Sequence, residues 1–227
     1  MNRALFPPGV CVATGPSAHD EPLHPAEAEL TIGMGLARRA QFAAGRACAQ
    51  RAMRELGVPC GPVLRGLRRA PRFPDGVIGS ITHTGDFFMA AVARSASFAG
   101  VGIDAERNRP LSERAAARIC APHELAALRA LPGRSAEHWA AIVFSAKESL
   151  YKAYFPVTGF FIGFRDAEVA LFPEADDAGR FAAKLVRADA PGAAEQRDFA
   201  GRYACDAERM VTGLVIPLPA DQARSAR

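Results

Sequence analysis

The chain has 227 residues, 49% apolar and 23% charged, with a formal net charge of +4 and a pI near 9.0. This composition provides a core for one large domain or two small ones, and it excludes a disordered chain and a disulfide-stapled miniature. Only Lys147, Lys152 and Lys184 are lysines among the 28 basic residues. An arginine fork suits phosphate groups, but GC-rich coding produces the same excess, so the charge alone only hints at an anionic partner.

Cys11, Cys48, Cys60, Cys120 and Cys205 are odd in number and show no CxxC spacing, so they read as reduced, mostly buried thiols. The opening MNRALFPPGVCVATG is broken by Pro7 and Pro8 and does not read as a signal peptide. No later apolar run is long enough to span a bilayer, and a cytoplasmic protein is expected.

After this turn-rich start, Pro25 and the acids behind it open a helix. The helical pattern runs on through GLARRAQFAAGRACAQRAMRELG and stops at Gly57 and Pro59. The Gly- and Pro-rich stretch that follows predicts short extended pieces and turns. VIGSIT and FFMAAVA predict two antiparallel strands joined across His83 to Asp86, and FAGVGIDAE a third strand. Beyond Arg107 the pattern predicts helices over 112–131 and 137–155, then strands near 167–172, 180–186, 199–206 and 210–216. The tail after Pro217 reads as disordered. Helices and strands in each half give an α+β protein of two similar-sized lobes, 1–106 and 107–227.

Four constellations carry chemistry. On a strand, Asp104 and Glu106 project from one face, and two half-buried carboxylates side by side call for a cation; a strand running into a solvated turn is the plainer alternative. In FSAKESLYKAYF, Glu148 and Lys152 stand one helical turn apart, as do Lys147 and Tyr151, in a densely apolar segment that holds two of the three lysines. GSITHTG ends a strand with Thr82, His83 and glycine, a plausible phosphate contact or a structural turn. On the first long helix, Arg38, Arg39 and Arg46 lie on one side, able to clamp a polyphosphate or to form a solvated basic face. Arg68, Arg69 and Arg72 invite the same two readings.

The ordered set RRAQFAAGR, RRAPRFPDGVIGSITHTG, VGIDAE and FSAKESLYKAYF resembles the 4'-phosphopantetheinyl transferase superfamily, of the enterobactin-synthetase and surfactin-synthetase type, over roughly residues 36 to 170. Its two anchor motifs, G-[IV]-D-x-E and F-[ST]-x-K-E-[SA]-x-x-K, are specific as an ordered pair. Phe73 stands where the family usually has tryptophan, and Thr82 where many members have serine.

The resemblance implies two lobes related by a pseudo-twofold, with coenzyme A in the cleft between them. It implies that Asp104, Glu106 and Glu148 bind Mg2+ with the pyrophosphate, and that Lys152 neutralises the leaving group. His83 with Thr82 would hold the 3'-phosphate, while Arg38 or Arg39, Arg46, and Arg68 or Arg69 grip phosphates. The implied acceptor is a serine of an acidic apo acyl- or peptidyl-carrier protein, in fatty-acid, polyketide, nonribosomal-peptide or siderophore synthesis. The leaving product is adenosine 3',5'-bisphosphate, and the base is Glu148 or a metal-bound water it orients. A monomer suffices for such a site. Another phosphate transferase is disfavoured because no GxxxxGK[ST] or GxGxxG loop is present. A nucleic-acid-binding module is disfavoured because only 8% of residues are aromatic and no zinc-finger spacing appears.

Overall fold

The computed structural model describes residues 5–16, 22–191 and 196–219. The expectation of disorder beyond Pro217 falls largely on residues outside this range. Helices and antiparallel sheets combine in an α+β architecture.

The first strand, β1 (Val10–Pro16), lies in the stretch expected to be turns. It forms because β5 (Phe87–Arg94) offers it a partner, with Val10 opposite Ala93 and Pro16 opposite Phe87. Pro7 and Pro8 precede the strand and so do not interrupt its ladder. The expected single N-terminal helix is two: α1 (Pro25–Glu29) and α2 (Leu36–Leu56). Gly33 at φ 79 and the extended Gly35 that caps α2 break the helix between them. α2 ends at Gly57, in the left-handed conformation.

α2 lays Ala44, Cys48, Ala52 and Met53 over a three-stranded sheet ordered β1–β5–β4. Strand β4 (Val77–Thr84) pairs antiparallel with β5 across the Gly85–Asp86 turn, as the sequence predicts. Between α2 and β4, the short strands β2 (Leu64–Arg65) and β3 (Pro71–Arg72) flank a 3-10 turn at Leu67–Arg69.

The second sheet is five-stranded. Its order is β6 (Phe98–Arg107), β10 (Arg209–Pro217), β9 (Asp198–Cys205), β8 (Ala178–Leu185) and β7 (Ala167–Ala175), antiparallel throughout. The sequence reading grouped β6 with the strands before it, yet its backbone ladder is with β10, the last strand of the chain. Toward β4 it is bridged by side chains instead. Ile103 N donates to Ser80 Oγ at 3.3 Å and Ala105 N to Thr82 Oγ1 at 3.1 Å. Hydroxyls on β4 thus satisfy strand donors that a neighbouring backbone would otherwise take.

The helix expected over 112–131 divides into α3 (Glu113–Ile119) and α4 (Pro122–Arg129), because Pro122 forces the residue before it into an extended conformation. Helix α5 (Ala136–Thr158) starts at the Ser135 cap and ends at Gly159, packing Trp139, Ile142 and Leu150 onto the second sheet. A third apolar cluster, including Phe6, Met89, Ile103 and Val211, ties the two sheets together. Among the described residues no helix is long and apolar enough to cross a membrane.

Candidate active site

The site begins with how closely β6 approaches α5. One face of β6 carries Gly100, Gly102, Asp104 and Glu106, while Val101, Ile103 and Ala105 turn into the core. A Cβ on Gly100 would stand 2.7 Å from Ala153 O, and one on Gly102 would collide with Ser149 O. Two glycines therefore let strand and helix backbones touch. The next two residues on that face, both carboxylates, are delivered beside Glu148 and Lys152 of α5.

Asp104 is 3% exposed and engaged at both oxygens. Oδ1 accepts from Lys152 Nζ at 2.6 Å and from Thr82 Oγ1 at 3.2 Å; Oδ2 accepts from Ser145 Oγ at 2.8 Å. Thr82 Oγ1 also accepts from Lys152 Nζ at 3.2 Å and from Ala105 N. Its single proton and both lone pairs are thereby used. Behind Ser145 a buried hydroxyl chain continues through Thr212 and Ser149 at 2.9 and 3.1 Å. Strand β10 brings Thr212 directly opposite Asp104 in the ladder.

Glu106 and Glu148 are half-buried and crowd this charge. Burial first, then the neighbouring Asp104, pushes the Glu106 carboxyl up to about 7. The same two causes, in the same order, raise Glu148. Among the described residues no three His, Cys, Asp or Glu side chains stand as a ready metal-ligand cluster, and the Lys152 ammonium rests on Asp104. The donor set nevertheless fits a hard divalent cation. It consists of carboxylate oxygens, and at Glu106 and Glu148 burial and the neighbouring Asp104 disfavour the ionised form, the field a cation relieves.

Thr82, Asp104, Glu106, Glu148 and Lys152 line one cleft of about 480 Å³. Its opposite wall is basic and aromatic. Arg38 and Arg69 line it, whereas Arg39 and Arg68, their sequence neighbours, do not. Arg46 lines it from a buried position, 8% exposed, with Nε donating to Val63 O at 2.8 Å and its guanidinium 4.2 Å from the Phe42 ring centre. Burial lowers its pKa to about 10, still leaving it charged at neutral pH. His83 stacks on Phe88 at the rim, 5.3 Å between ring centres. Partial burial, then the charges of Arg38 and Lys152, hold its imidazole below the usual value.

Several contributors escape the sequence reading. Ser145 stands three residues before Glu148 and seven before Lys152, on the same helical face, and that spacing could have singled it out. Thr212 carries no local signal at all. Gln41, Phe42, Ile81, Phe88 and Phe144 line the cleft as well. Lys147, next to Glu148, has a different task. Its ammonium is buried on Glu124, 2.9 Å away, and also donates to Ile119 O and Phe164 O. It ties α4 and the loop after α5 to the helix that carries Glu148.

Crowded carboxylates, a lysine and a basic wall around one open cleft have the chemistry to take a phosphate ester together with a hard cation. The comparisons with known proteins are specific. Residues 26–93 match the 4'-phosphopantetheinyl transferase N-terminal domain, and residues 100–208 match the 4'-phosphopantetheinyl transferase superfamily. The chain is 42% identical to the 4'-phosphopantetheinyl transferase Svp of Streptomyces mobaraensis, over 92% of this chain and 86% of that one. It is 35% identical to the 4'-phosphopantetheinyl transferase PptT of Mycobacterium tuberculosis, over 85% of each. Enterobactin synthase component D of Salmonella typhi is 37% identical over 53% of this chain and 50% of its own. The chain belongs to the 4'-phosphopantetheinyl transferase superfamily and is an enzyme of that kind.

Proposed function

We propose that the protein transfers the 4'-phosphopantetheine arm of coenzyme A to a serine of an apo acyl- or peptidyl-carrier protein, with Mg2+, releasing adenosine 3',5'-bisphosphate. One observation carries this reading. Asp104 and Glu106 of β6, Glu148 and Lys152 of α5, and Thr82 and His83 of β4 meet a wall of arginines in a single cleft.

In this reading Asp104, Glu106 and Glu148 would hold Mg2+, which would supply neutralisation of the pyrophosphate charge. Arg38, Arg46 and Arg69 grip phosphate oxygens. His83 reaches the 3'-phosphate, and Thr82, its hydroxyl fully engaged, orients Lys152 and Asp104. The carrier serine oxygen bonds to the pantetheine-side phosphorus as the bond from that phosphorus to the bisphosphate oxygen breaks. The serine proton passes to a Glu148 carboxylate oxygen or to a water that Glu148 orients. Lys152 neutralises the charge that develops on the leaving oxygen.

The two halves form a pseudo-twofold pair in this reading, supported by a long helix on an antiparallel sheet in each, with both helices lining the cleft. The absence of disulfides among the described cysteines supports a cytoplasmic setting. Intact-mass measurement of apo-carrier proteins incubated with coenzyme A and Mg2+ tests the function. One phosphopantetheine should be added, and Asp104→Ala or Glu148→Gln should abolish the gain while the fold survives. Near wild-type transfer by either variant would overturn the assignment.

A further inference from the structure

Glu27, on the short helix α1, is a buried carboxylate that the transfer chemistry leaves without a role. It is 1% exposed, although an acid in the first turn of a helix ordinarily faces water. One oxygen closes its own helix, Oε2 accepting from His24 N at 3.2 Å. The other reaches out of the helix, Oε1 accepting from Val63 N at 2.7 Å and from Gln50 Nε2 at 3.5 Å. Among the described residues no lysine or arginine is in ion-pair contact with it. A carboxylate withdrawn this far from water calls for a countercharge.

Val63 leads to that countercharge. The backbone of this one buried residue gives its N–H to Glu27 and takes Arg46 Nε at its carbonyl, 2.8 Å away. Of the charges that act on the Arg46 guanidinium, Glu27 favours it, whereas Arg65 and Arg38 repel it. Nε is thus committed to Val63 and one face of the guanidinium to the Phe42 ring. Nη1 and Nη2 have no hydrogen-bond partner among the described residues, and Arg46 lines the cleft. Two free amino groups on a fixed plane form the fork that matches a pair of phosphate oxygens. Holding the chain at Val63 does not by itself require an acid. Gln50, one helical turn beyond Arg46, already pins the same segment by donating to Gly61 O at 2.9 Å.

We propose that Glu27 is a positioning residue for the donor's phosphates: from outside the cleft it acts through Val63 and Arg46, fixing the guanidinium so that its free amino groups meet the bound anion. The inference rests on the function proposed above. Glu27 touches no substrate; its carboxylate offsets the repulsion that Arg38 and Arg65 exert on Arg46. The phosphate that Arg46 meets is charged both before and during transfer. Loss of Glu27 therefore falls on coenzyme A binding rather than on turnover. A carboxylate that only stapled the chain would act on stability, and it would do so independently of Arg46.

A double-mutant cycle tests this. Wild type, Glu27→Gln, Arg46→Met and the double variant are compared for coenzyme A binding by calorimetry, for steady-state transfer and for melting temperature. Glu27→Gln keeps an acceptor for the Val63 N–H and removes only the charge. It should weaken coenzyme A binding, and raise the coenzyme A KM, by about tenfold, with kcat within about twofold; loss of an orienting partner costs this order at metal sites. Arg46→Met should itself weaken binding measurably, with Arg38, Arg69 and His83 still in place. In that background Glu27→Gln should cost nothing further. Glu27→Asp, which keeps the charge, should lose less than Glu27→Gln and nothing in the Arg46→Met background, so the coupling is read even if Glu27→Gln does not fold. Unchanged coenzyme A affinity in the folded Glu27 variants, or an equal loss with and without Arg46, overturns the positioning role. Failure of wild type to bind coenzyme A would instead overturn the function on which it rests.

Discussion

Replacing Gly102 with alanine tests whether the contact of β6 with α5 assembles the cleft. The added Cβ would collide with Ser149 O and stand 2.9 Å from Ala153 N, both helix backbone atoms with no rotamer to escape through. Ordinary contacts begin at roughly 3.5 Å, so strand and helix must separate by on the order of 1 Å. Asp104 lies two residues further along that face, joined to α5 through the 2.6 Å bond to Lys152 and the 2.8 Å bond to Ser145. Overpacking of this kind costs about 1–3 kcal/mol. A displacement of about 1 Å among catalytic groups costs roughly 100-fold in rate. Urea denaturation and steady-state transfer should therefore show lower stability and a kcat down roughly 100-fold, with coenzyme A affinity affected less. A variant with wild-type stability and turnover would refute the reasoning.

Lys152→Ala should lower kcat far more than it weakens coenzyme A binding, because the ammonium answers charge that develops only as the bond breaks; a pure loss of affinity would contradict this. His83→Ala should weaken coenzyme A binding much more than binding of the dephospho form, and equal losses measured by calorimetry would remove its 3'-phosphate role. His138, bonded to Asn108, is held below its ordinary value of 6.5 by burial first and then by Arg134. The unfolded chain therefore takes up this proton before the folded one does. The stability contribution is present above about pH 6.5 and is lost as pH falls through the folded value. Denaturation curves across that window should show a smaller acid loss in His138→Asn than in wild type, and an equal loss would refute the cause assigned.

The parts of the site carried by local pattern were legible. Asp104 and Glu106 share a strand face, Glu148 and Lys152 share a helix face, and Thr82 and His83 end a strand, as their spacing requires. What sequence order hides is partnership at a distance. β6 follows β4 and β5 but ladders with β10, some hundred residues later, because that strand, rather than β5, completes its hydrogen bonds. Thr212 reaches Asp104 only through that register. β1 was masked by the prolines before it, since its partner β5 rather than its own composition makes it a strand. Among the arginines, spacing left pairs of candidates, and the left-handed turn at Arg68 and Arg69 separates one pair. Lys147 shared a motif with Glu148 but points to Glu124, because residues adjacent on a helix face different ways.

Diffraction from crystals grown with coenzyme A and Mn2+ in place of Mg2+ tests the shared-cation claim most directly. The account predicts one anomalous peak bounded by oxygens of Asp104, Glu106 and Glu148 and by the diphosphate, with the Lys152 ammonium moved toward the phosphate chain. A diphosphate bound elsewhere, or an ion held without any of those three carboxylates, would contradict it.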